Sequence, residues 1–362
     1  MPRSSATSGL EDAAAVRRRD LDEVLQRGAA DWASLRGASI FMSGGTGWFG
    51  RCLLEAVAAA NAQLDAQIRV TVLTRNAAAF ARQAPTLAAA RFLHMHEGDV
   101  RDFAFPATTF SHVIHAATTS ARETFLGETP LAKFDTLVRG SRRVLDFAAH
   151  CGARHVLFTS SGAAYGSPDS SPIGEALTSA PDTTATSSAL GEGKRAAEFL
   201  FAAYAEQHDW QCSIARCFSF VGPHMPLDLH YAIGDFIRQA LQQKRIVVHG
   251  DGLAVRSYLY TADLVVWLVR LLQRNGPCRV FNVGSDQGIS IGELAQLVGE
   301  QLNPGGDVEI AGRQDYSVGN PVRRCYVPDI ARASTECGVR VWTPLPEAIR
   351  RTAALARDTI DR

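Results

Sequence analysis

The sequence predicts an α/β protein built on a doubly wound parallel sheet, with a smaller lobe at its C-terminal end. Short apolar runs alternate with helical patterns from about residue 38 to residue 160. A glycine-rich turn follows the first apolar run, and 46% of the 362 residues are hydrophobic, enough to bury one large core or two fused ones. Parallel strands joined through helices make right-handed crossovers, which builds such a sheet.

Composition limits the expected partners and compartment. Thirty-seven Lys and Arg residues match 37 Asp and Glu residues without a long run of like charge, so we expect no nucleic-acid or membrane partner. The seven cysteines are scattered and include no C-x-x-C pair, which argues against disulfides and a metal site. No stretch reaches the roughly 18 consecutive apolar residues that span a bilayer, and no signal-peptide pattern occurs. We therefore expect reduced thiols in a cytoplasmic protein.

Two segments precede the first strand. Residues 1–19 are rich in Ala, Ser and charge, which predicts a mobile tail. Apolar side chains then recur at mostly helical spacing and predict an amphipathic helix over residues 20–37 that packs beside the first strand. The apolar residues of this helix are Leu21, Val24, Leu25, Trp32 and Leu35.

The run ASIFMSGGTGWFGRCLLEAVAAA has the pattern of a dinucleotide-binding turn between a strand and a helix. Gly44 permits the tight turn, Gly47 lets the backbone approach a pyrophosphate, and Gly50 lets the helix pack on the strand. The helix N-terminus then faces the phosphates, which predicts a Rossmann-type fold. The other residues of the turn that we expect at the cofactor are Thr46, Trp48 and Phe49.

The end of the second strand, IRVTVLTRN, bears on the choice of cofactor. An acidic residue here would accept hydrogen bonds from the ribose hydroxyls of NAD, whereas an Arg accommodates the 2'-phosphate of NADP. This chain has Thr74, Arg75 and Asn76. Arg75 therefore favours NADP as the form of NAD(P) that binds, the alternative being a solvated loop arginine with NAD held by other contacts.

Residues 157–194 carry the expected chemistry. An apolar run ends in hydroxyls at Ser161, and a helix with the sequence GEGKR begins after a polar loop. This order resembles the catalytic segment of the extended short-chain dehydrogenase/reductase family, in which a Ser or Thr precedes a Y-x-x-x-K pair. Ser161 and Lys194 match two of the three residues, but Leu190 stands at the position of the tyrosine.

The resemblance implies a mechanism that lacks its proton carrier. In that family the Lys lowers the pKa of the Tyr, which takes a proton from a sugar hydroxyl that the Ser also contacts. Leu190 cannot move a proton, so the chain has a substitute, performs a step that needs less help, or has lost turnover. The candidate substitutes are Tyr165, Glu192, Cys217 and Lys194 itself, among which we place Tyr165 first.

The resemblance extends to the cofactor side of the cleft. Asp99, followed by Val100, matches the acid that meets the adenine, while Ala116 and Ala117 are expected to line the cofactor. The apolar run around His115 is more typical of a packed histidine than of a base. A second departure occurs where Leu137 replaces the Asn of the family's N-x-x-G-T pattern.

The second half resembles the substrate side of nucleotide-sugar enzymes. Ser219 replaces the Asn of an R-x-F-N-x-x-G-P pattern, which marks altered substrate recognition. The block GDGLAVRSYLYTAD places Arg256 where the family clamps the substrate diphosphate, with Tyr260 and Asp263 expected to anchor the next helix. Arg323 is a candidate second phosphate contact. The alternative for Arg256 is an ordinary surface arginine.

Together these patterns predict an extended short-chain dehydrogenase/reductase that binds NAD(P) and a nucleoside-diphosphate sugar. We expect the Rossmann domain over residues 38–215 with parts of 250–285, and a substrate lobe over residues 216–249 and 286–355. A transient 4-keto sugar fits an epimerase or decarboxylase better than a 4,6-dehydratase, whose Asp-Glu pair is replaced by Gly162 and Ala163. The alternative is a catalytically impaired or non-redox protein on the same scaffold.

The resemblance also implies a homodimer, since the family pairs two helices of each subunit. The expected interface combines the helix over residues 134–149 with an apolar face of the following helix. The residues of that face are Ala197, Phe201 and Tyr204.

Overall fold

The computed structural model describes residues 10–118, 127–168, 171–229, 231–312 and 325–360. Its strands, numbered in chain order, are β1 (Ser39–Ser43), β2 (Arg69–Thr74), β3 (Leu93–Glu97), β4 (His112–His115), β5 (His155–Ser161), β6 (Gln211–Cys217), β7 (Phe220–Val221), β8 (Ile246–Val248), β9 (Val255–Arg256), β10 (Leu259–Tyr260), β11 (Arg279–Val283), β12 (Ile289–Ser290), β13 (Val308–Ile310) and β14 (Cys325–Tyr326).

The helices of the described chain surround these strands. In order they are α1 (Ala13–Arg27), α2 (Ala29–Ser34), α3 (Trp48–Leu64), α4 (Ala77–Gln83), α5 (Pro85–Ala88), α6 (Pro130–Cys151), α7 (Ala189–His208), α8 (Ala232–Leu241), α9 (Thr261–Leu272), α10 (Ile291–Leu302), α11 (Ala331–Cys337) and α12 (Leu345–Ile360). Among the residues described, no helix combines the length and the apolar character needed to cross a lipid bilayer.

A seven-stranded parallel sheet forms the centre of the molecule. Its strands lie in the order β11-β6-β5-β4-β1-β2-β3, and every neighbouring pair runs parallel. The order reverses between β1 and β4, which places the carboxyl ends of β1, β4 and β5 around one crevice. The predicted doubly wound sheet is confirmed.

Local sequence explains where the helices that frame this crevice begin and end. The Thr129 hydroxyl accepts a hydrogen bond from the Ala132 backbone N–H at 3.2 Å and caps α6, whose first residue is Pro130. The helix stops at Gly152, which has a φ of 79°. In the C-terminal part, the N-cap residue Ser290 and Glu293 form a capping box at α10.

The N-terminal segment differs from the prediction. Helix α1 begins at Ala13, inside the predicted mobile tail, because the Asp12 carboxylate accepts a hydrogen bond from the Ala15 N–H and three alanines follow. The chain breaks at Gly28 and continues as α2. Helix α1 contacts α3, α9 and α12, and its buried Val24 and Leu25 belong to the same core cluster as Ile40 and Met42 of β1.

The C-terminal part outside the large sheet consists of short pairings. Strand β7 pairs with β10, β8 with β13, and β9 with both β12 and β14. Helices α8 and α10 pack together over this part. The segment after β5 also joins this C-terminal part, since the Ile173 N–H donates to the Val327 carbonyl at 2.8 Å. The two halves of the chain therefore meet beside the end of β5.

Candidate active site

The glycine turn after β1 has the backbone that its sequence predicts. Gly44 has a φ of 78°, and a Cβ atom there would lie 2.4 Å from the carbonyl carbon of Ala116. A Cβ on Gly50 would lie 2.4 Å from the Cα of Gly45. No side chain of the described residues caps the start of α3 at Gly47. The turn thus offers exposed backbone and a helix N-terminus to an anionic group.

The residues predicted at the adenosine end lie at the ends of β2 and β3. Arg75 is exposed, and it is close enough to Asp99 to lower the pKa of that carboxyl. Arg101 has the larger effect, because its Nε and Nη2 atoms lie 2.8 and 3.0 Å from the two Asp99 oxygens. Val100 packs on α6, where a Cβ on Gly140 would lie 2.9 Å from its Cγ1.

Lys194 and Ser161 both lie at the carboxyl end of β5. Lys194 is 3% exposed, and its Nζ donates a hydrogen bond to the Thr159 carbonyl at 2.7 Å. Burial lowers the pKa of Lys194 to about 8, although the Cys217 thiol and the Glu198 carboxylate partly oppose the shift. Ser161 is half-buried, and its Oγ accepts a hydrogen bond from the Ala163 N–H at 3.1 Å.

Two of the positions at which this chain departs from the family pattern, Leu190 and Leu137, carry hydrocarbon side chains. Leu190 lies half-buried in the first turn of α7. Leu137 is 1% exposed on α6 and packs on Gly193, where an added Cβ would lie 2.7 Å from its Cδ1. Glu192 is half-buried, and its Oε1 has no hydrogen-bond partner among the described residues. The contact between α6 and α7 near the site is thus largely apolar.

Tyr165 is packed as a core residue. It is fully buried, and its hydroxyl donates to Asn282 Oδ1 at 2.8 Å. The Arg216 guanidinium lies 4.4 Å from its ring centroid. Burial raises the pKa of Tyr165, which disfavours the phenolate that a base needs. This geometry does not fit the prediction that Tyr165 replaces the missing tyrosine, so we no longer assign it that role.

Two other titratable groups are enclosed in the same way. Burial raises the pKa of Cys217 to about 12, with Lys194 partly opposing the shift. His115 is 1% exposed, and Ser43 Oγ and Ser141 Oγ lie 2.6 and 3.1 Å from its two ring nitrogens. Its burial and these two contacts confirm that His115 is a packed histidine, and burial lowers its pKa to about 3.

A buried ion pair behind Lys194 was not predicted from the sequence. Glu198 accepts hydrogen bonds from the Arg216 Nε and Nη2 atoms at 2.9 and 2.6 Å, and from Ser160 Oγ at 2.5 Å. It joins α7 to β5 and β6, one helical turn after Lys194. Only the fold brings these residues together, so no sequence spacing could have indicated the contact.

The predicted substrate residues lie across the crevice. Ser219 is half-buried between β6 and β7, and its carbonyl accepts from the Leu259 N–H at 3.1 Å. Arg256 is half-buried on β9, where one Nη donates to the Val255 carbonyl at 2.8 Å. Arg323 lies outside the described residues. Sequence reasoning missed Tyr326, which is the register partner of Arg256 and whose hydroxyl lies over Gly162.

Tyr260 and Asp263 have a wider role than anchoring one helix. The Tyr260 hydroxyl donates to Asp20 of α1 at 2.5 Å. The Asp263 carboxylate accepts from the backbone N–H groups of Trp342 and Thr343 at 2.9 and 2.8 Å. These residues therefore fasten the N-terminal helix and the chain before α12 to the start of α9.

A comparison with protein families decides the affiliation. The model of the NAD dependent epimerase/dehydratase family matches residues 40–284, from the first strand of the sheet to its last. The chain belongs to this family. The glycine turn, strand β5 and the block around Arg256 all lie within the matched range.

Curated relatives of this family member are UDP-glucuronic acid decarboxylases. The chain is 31% identical over 233 residues to UDP-glucuronic acid decarboxylase 1 of Xenopus tropicalis and 34% identical over 217 residues to UDP-glucuronic acid decarboxylase 6 of Arabidopsis thaliana. The alignments cover 64% and 59% of this chain. They cover 53% and 60% of the two relatives, so the chain spans little more than half the length of the relatives it matches.

Solved structures of two epimerases share the fold of this chain. The UDP-glucuronic acid 4-epimerase of Bacillus cereus, in complex with UDP-glucuronic acid and NAD, matches with a TM-score of 0.73 and 18% identity over 89% of this chain and 99% of that one. The UDP-N-acetylglucosamine 4-epimerase of Methanobrevibacter ruminantium matches with a TM-score of 0.75 and 18% identity over 90% and 99% of the two chains.

Proposed function

We propose that the chain binds NAD(P) and a nucleoside-diphosphate sugar and converts the sugar through a transient ketone at C4. The observation that carries this proposal is the convergence of the glycine turn, Ser161 and Lys194 at the carboxyl ends of β1, β4 and β5. Ligands of open parallel sheets bind at this edge, where the strand order reverses. The family affiliation supports the same conclusion.

The chain's own residues fit a dinucleotide. The backbone of Gly44 approaches Ala116 and Ala117 so closely that a side chain would fill the turn, and the uncapped start of α3 faces outward for phosphate oxygens. Two structural neighbours contain NAD. For this chain we propose NADP, because the exposed Arg75 would bind the 2'-phosphate. When bound, the nicotinamide accepts the hydride from the sugar carbon.

For the substrate we propose a UDP-sugar, with UDP-glucuronic acid as the first candidate. The curated relatives are named for UDP-glucuronic acid, and so is the Bacillus cereus epimerase. Arg256 on β9, together with Arg323, would pair with the diphosphate, where a planar guanidinium binds two oxygens at once. Gly162 and Ala163 leave no carboxylate for a 4,6-elimination, so an epimerase or a decarboxylase remains the expected type.

Ser161 and Lys194 have separate roles in this proposal. The Ser161 hydroxyl, already oriented by the Ala163 N–H, would donate a hydrogen bond to the reacting sugar oxygen. The Lys194 ammonium, held by the Thr159 carbonyl, would place positive charge beneath the site and stabilise negative charge on that oxygen. Neither role needs a side chain at position 190.

A second candidate function is a non-redox protein that keeps the scaffold and binds a nucleotide sugar. Leu190 and Leu137 favour it, and so does the inward orientation of Lys194, whose Nζ bonds a backbone carbonyl. A Leu190→Tyr variant that gains turnover from an inactive wild type would support this second function.

Product analysis by NMR distinguishes the candidates. Purified protein with NAD or NADP is incubated with UDP-glucuronic acid. A decarboxylase releases carbon dioxide and a UDP-pentose, and an epimerase gives the C4 epimer. The proposal fails if neither product forms, with either cofactor, from UDP-glucuronic acid, UDP-glucose or UDP-N-acetylglucosamine.

We propose a homodimer through the outer faces of α6 and α7, with a corrected set of residues. Ala197 and Phe201 are fully buried in the core and cannot form an interface. The exposed apolar residues of these helices are Leu131, Phe134 and Phe199, at 82%, 39% and 71% exposure. Light scattering of a Phe199→Glu variant tests this interface, because a charge there should shift a dimer to monomers.

We also propose a cytoplasmic location, which the seven free cysteines fit.

A further inference from the structure

Tyr326 is a tyrosine that the C-terminal part of the chain brings to the catalytic strand. It lies on β14, half-buried, in register with Arg256 of β9. Its ring stacks on Phe218 with centroids 4.6 Å apart and planes 30° from parallel. The ring therefore stands between the proposed diphosphate clamp and the residues that follow β6.

The hydroxyl of Tyr326 reaches the end of β5. A Cβ atom built on Gly162 would lie 2.4 Å from the Tyr326 Oη and 2.9 Å from its Cζ. Real Cβ atoms do not approach oxygen so closely, so this position admits glycine only while the phenol stays where it is. Gly162 directly follows Ser161, whose Oγ is expected at the reacting sugar oxygen. The Tyr326 phenol thus lies against the backbone of the residue that follows Ser161.

Three of the other candidate proton carriers are less suited by position or by burial. Tyr165 is fully buried and bonded to Asn282, and burial holds the pKa of Cys217 near 12. Glu192 follows Leu190 on α7, and two residues along a helix turn the side chain toward another face. Tyr326 alone among these four combines a phenol with a place directly over the strand end that carries Ser161.

We propose that Tyr326 is the catalytic phenol of this chain and does the proton transfer for which position 190 has no group. This inference rests on the proposed function. The Tyr326 Oη, as phenolate, takes the proton of the C4 hydroxyl, the C4–H bond breaks, and its electron pair leaves with the hydride to the oxidised dinucleotide. The products are the C4 ketone, the reduced dinucleotide and the neutral phenol, which returns the proton when the ketone is reduced.

Removal of one hydroxyl tests the proposal. Tyr326→Phe should lower kcat about 100- to 10,000-fold, the range for a lost general acid or base. Tyr204→Phe is the matched control, since it removes a hydroxyl that bonds Asp146 on the outer surface of α6 and α7 and should leave kcat within twofold. Gly162→Ala alone should also lower kcat. In the double variant, the loss of transition-state stabilisation should differ from the sum of the two single losses, because both changes act through the same phenol.

A binding measurement without added dinucleotide gives a readout that does not depend on turnover. Calorimetric titration compares UDP-glucuronic acid with UDP in wild type and Tyr326→Phe. We expect the variant to bind UDP as wild type does and to lose about threefold to tenfold in affinity for the UDP-sugar, since only the sugar meets the phenol.

The outcomes separate this inference from the proposed function. A wild type that turns over, with Tyr326→Phe equal to it in kcat and in UDP-sugar affinity, overturns the role of Tyr326 and leaves the proposed function intact. A wild type that converts no UDP-sugar overturns both. A folded Tyr326→Phe that binds UDP normally but has lost kcat and the sugar-specific affinity supports the assignment.

Discussion

At the level of single residues, the Lys194 ammonium lies among hydrocarbon and aromatic side chains. Lys194 is 3% exposed, lies 4.7 Å from the Phe158 ring centroid and has one hydrogen bond to a carbonyl. Leu137 packs on Gly193, the residue that precedes Lys194 in the sequence. An ammonium in such surroundings loses much of its hydration, so its neutral form gains relative to the charged form.

The pH dependence of stability should show this burial. The pKa of Lys194 is lowered to about 8 from an ordinary value of 10.5, so the unfolded chain binds more protons between these values and stability rises with pH. The Lys194 contribution to that rise approaches about 1.4 kcal/mol per pH unit between pH 8 and 10.5. Urea unfolding of wild type and Lys194→Met measures it, and equal slopes for both proteins would contradict the assignment.

The glycine turn allows a test with a matched control. Gly44 and Gly152 have φ values of 78° and 79°. A Cβ atom on Gly44 would collide with the backbone of Ala116, whereas a Cβ atom on Gly152 would have no neighbouring heavy atom within 4 Å among the residues described. Gly152→Ala should lower the free energy of unfolding by about 1–2 kcal/mol, and Gly44→Ala by about 2–5 kcal/mol. Gly44→Ala should also weaken dinucleotide binding. Equal losses of stability in chemical denaturation would refute the close approach to Ala116.

At the level of elements, α1 is fastened to the rest of the fold by buried charge. Arg351 of α12 donates to Asp20 at 2.8 Å and to Glu23 at 2.9 Å, and Asp20 also accepts from Tyr260. Asp20 and Arg351 are both 7% exposed. Removing one partner of such a group leaves the other charge without compensation.

Arg351→Met should therefore lower the free energy of unfolding by about 3–5 kcal/mol. Arg19 of α1 also pairs with Glu347 of α12 and with Glu11, which precedes α1, but its side chain is 37% exposed. Arg19→Met should cost less than about 1 kcal/mol, because exposed ion pairs contribute little. Denaturant titration of both variants measures the difference, and similar losses would show that burial does not govern this contact.

Sequence reasoning succeeded where a local pattern determines the structure. The alternation of strands and helices and the glycine turn each depend on residues close in the chain. The predicted start of the N-terminal helix was wrong, because the prediction gave more weight to the Ala, Ser and charge content of the segment than to the Asp12 cap and the alanines after it. The inward orientation of Lys194 depends on packing, which no spacing shows.

At the level of the whole molecule, the proposed site draws on distant parts of the chain. Ser161 comes from β5, Lys194 from α7, Arg256 from β9 and Tyr326 from β14. The sequence pattern of the family placed three of these four by residue number. Tyr326 could not be found in that way, because its approach to Gly162 joins segments 164 positions apart in the printed chain.

The most direct test of the account is reduction of the dinucleotide by substrate. The protein, with NAD or NADP, is mixed with UDP-glucuronic acid that carries deuterium at C4 or at C2, and the formation of reduced nicotinamide is followed by absorbance in a single turnover. We predict reduction that deuterium at C4 slows and deuterium at C2 does not. Absence of reduction with either cofactor, in protein shown by calorimetry to bind both ligands, would contradict the central claim that this crevice oxidises a nucleotide sugar.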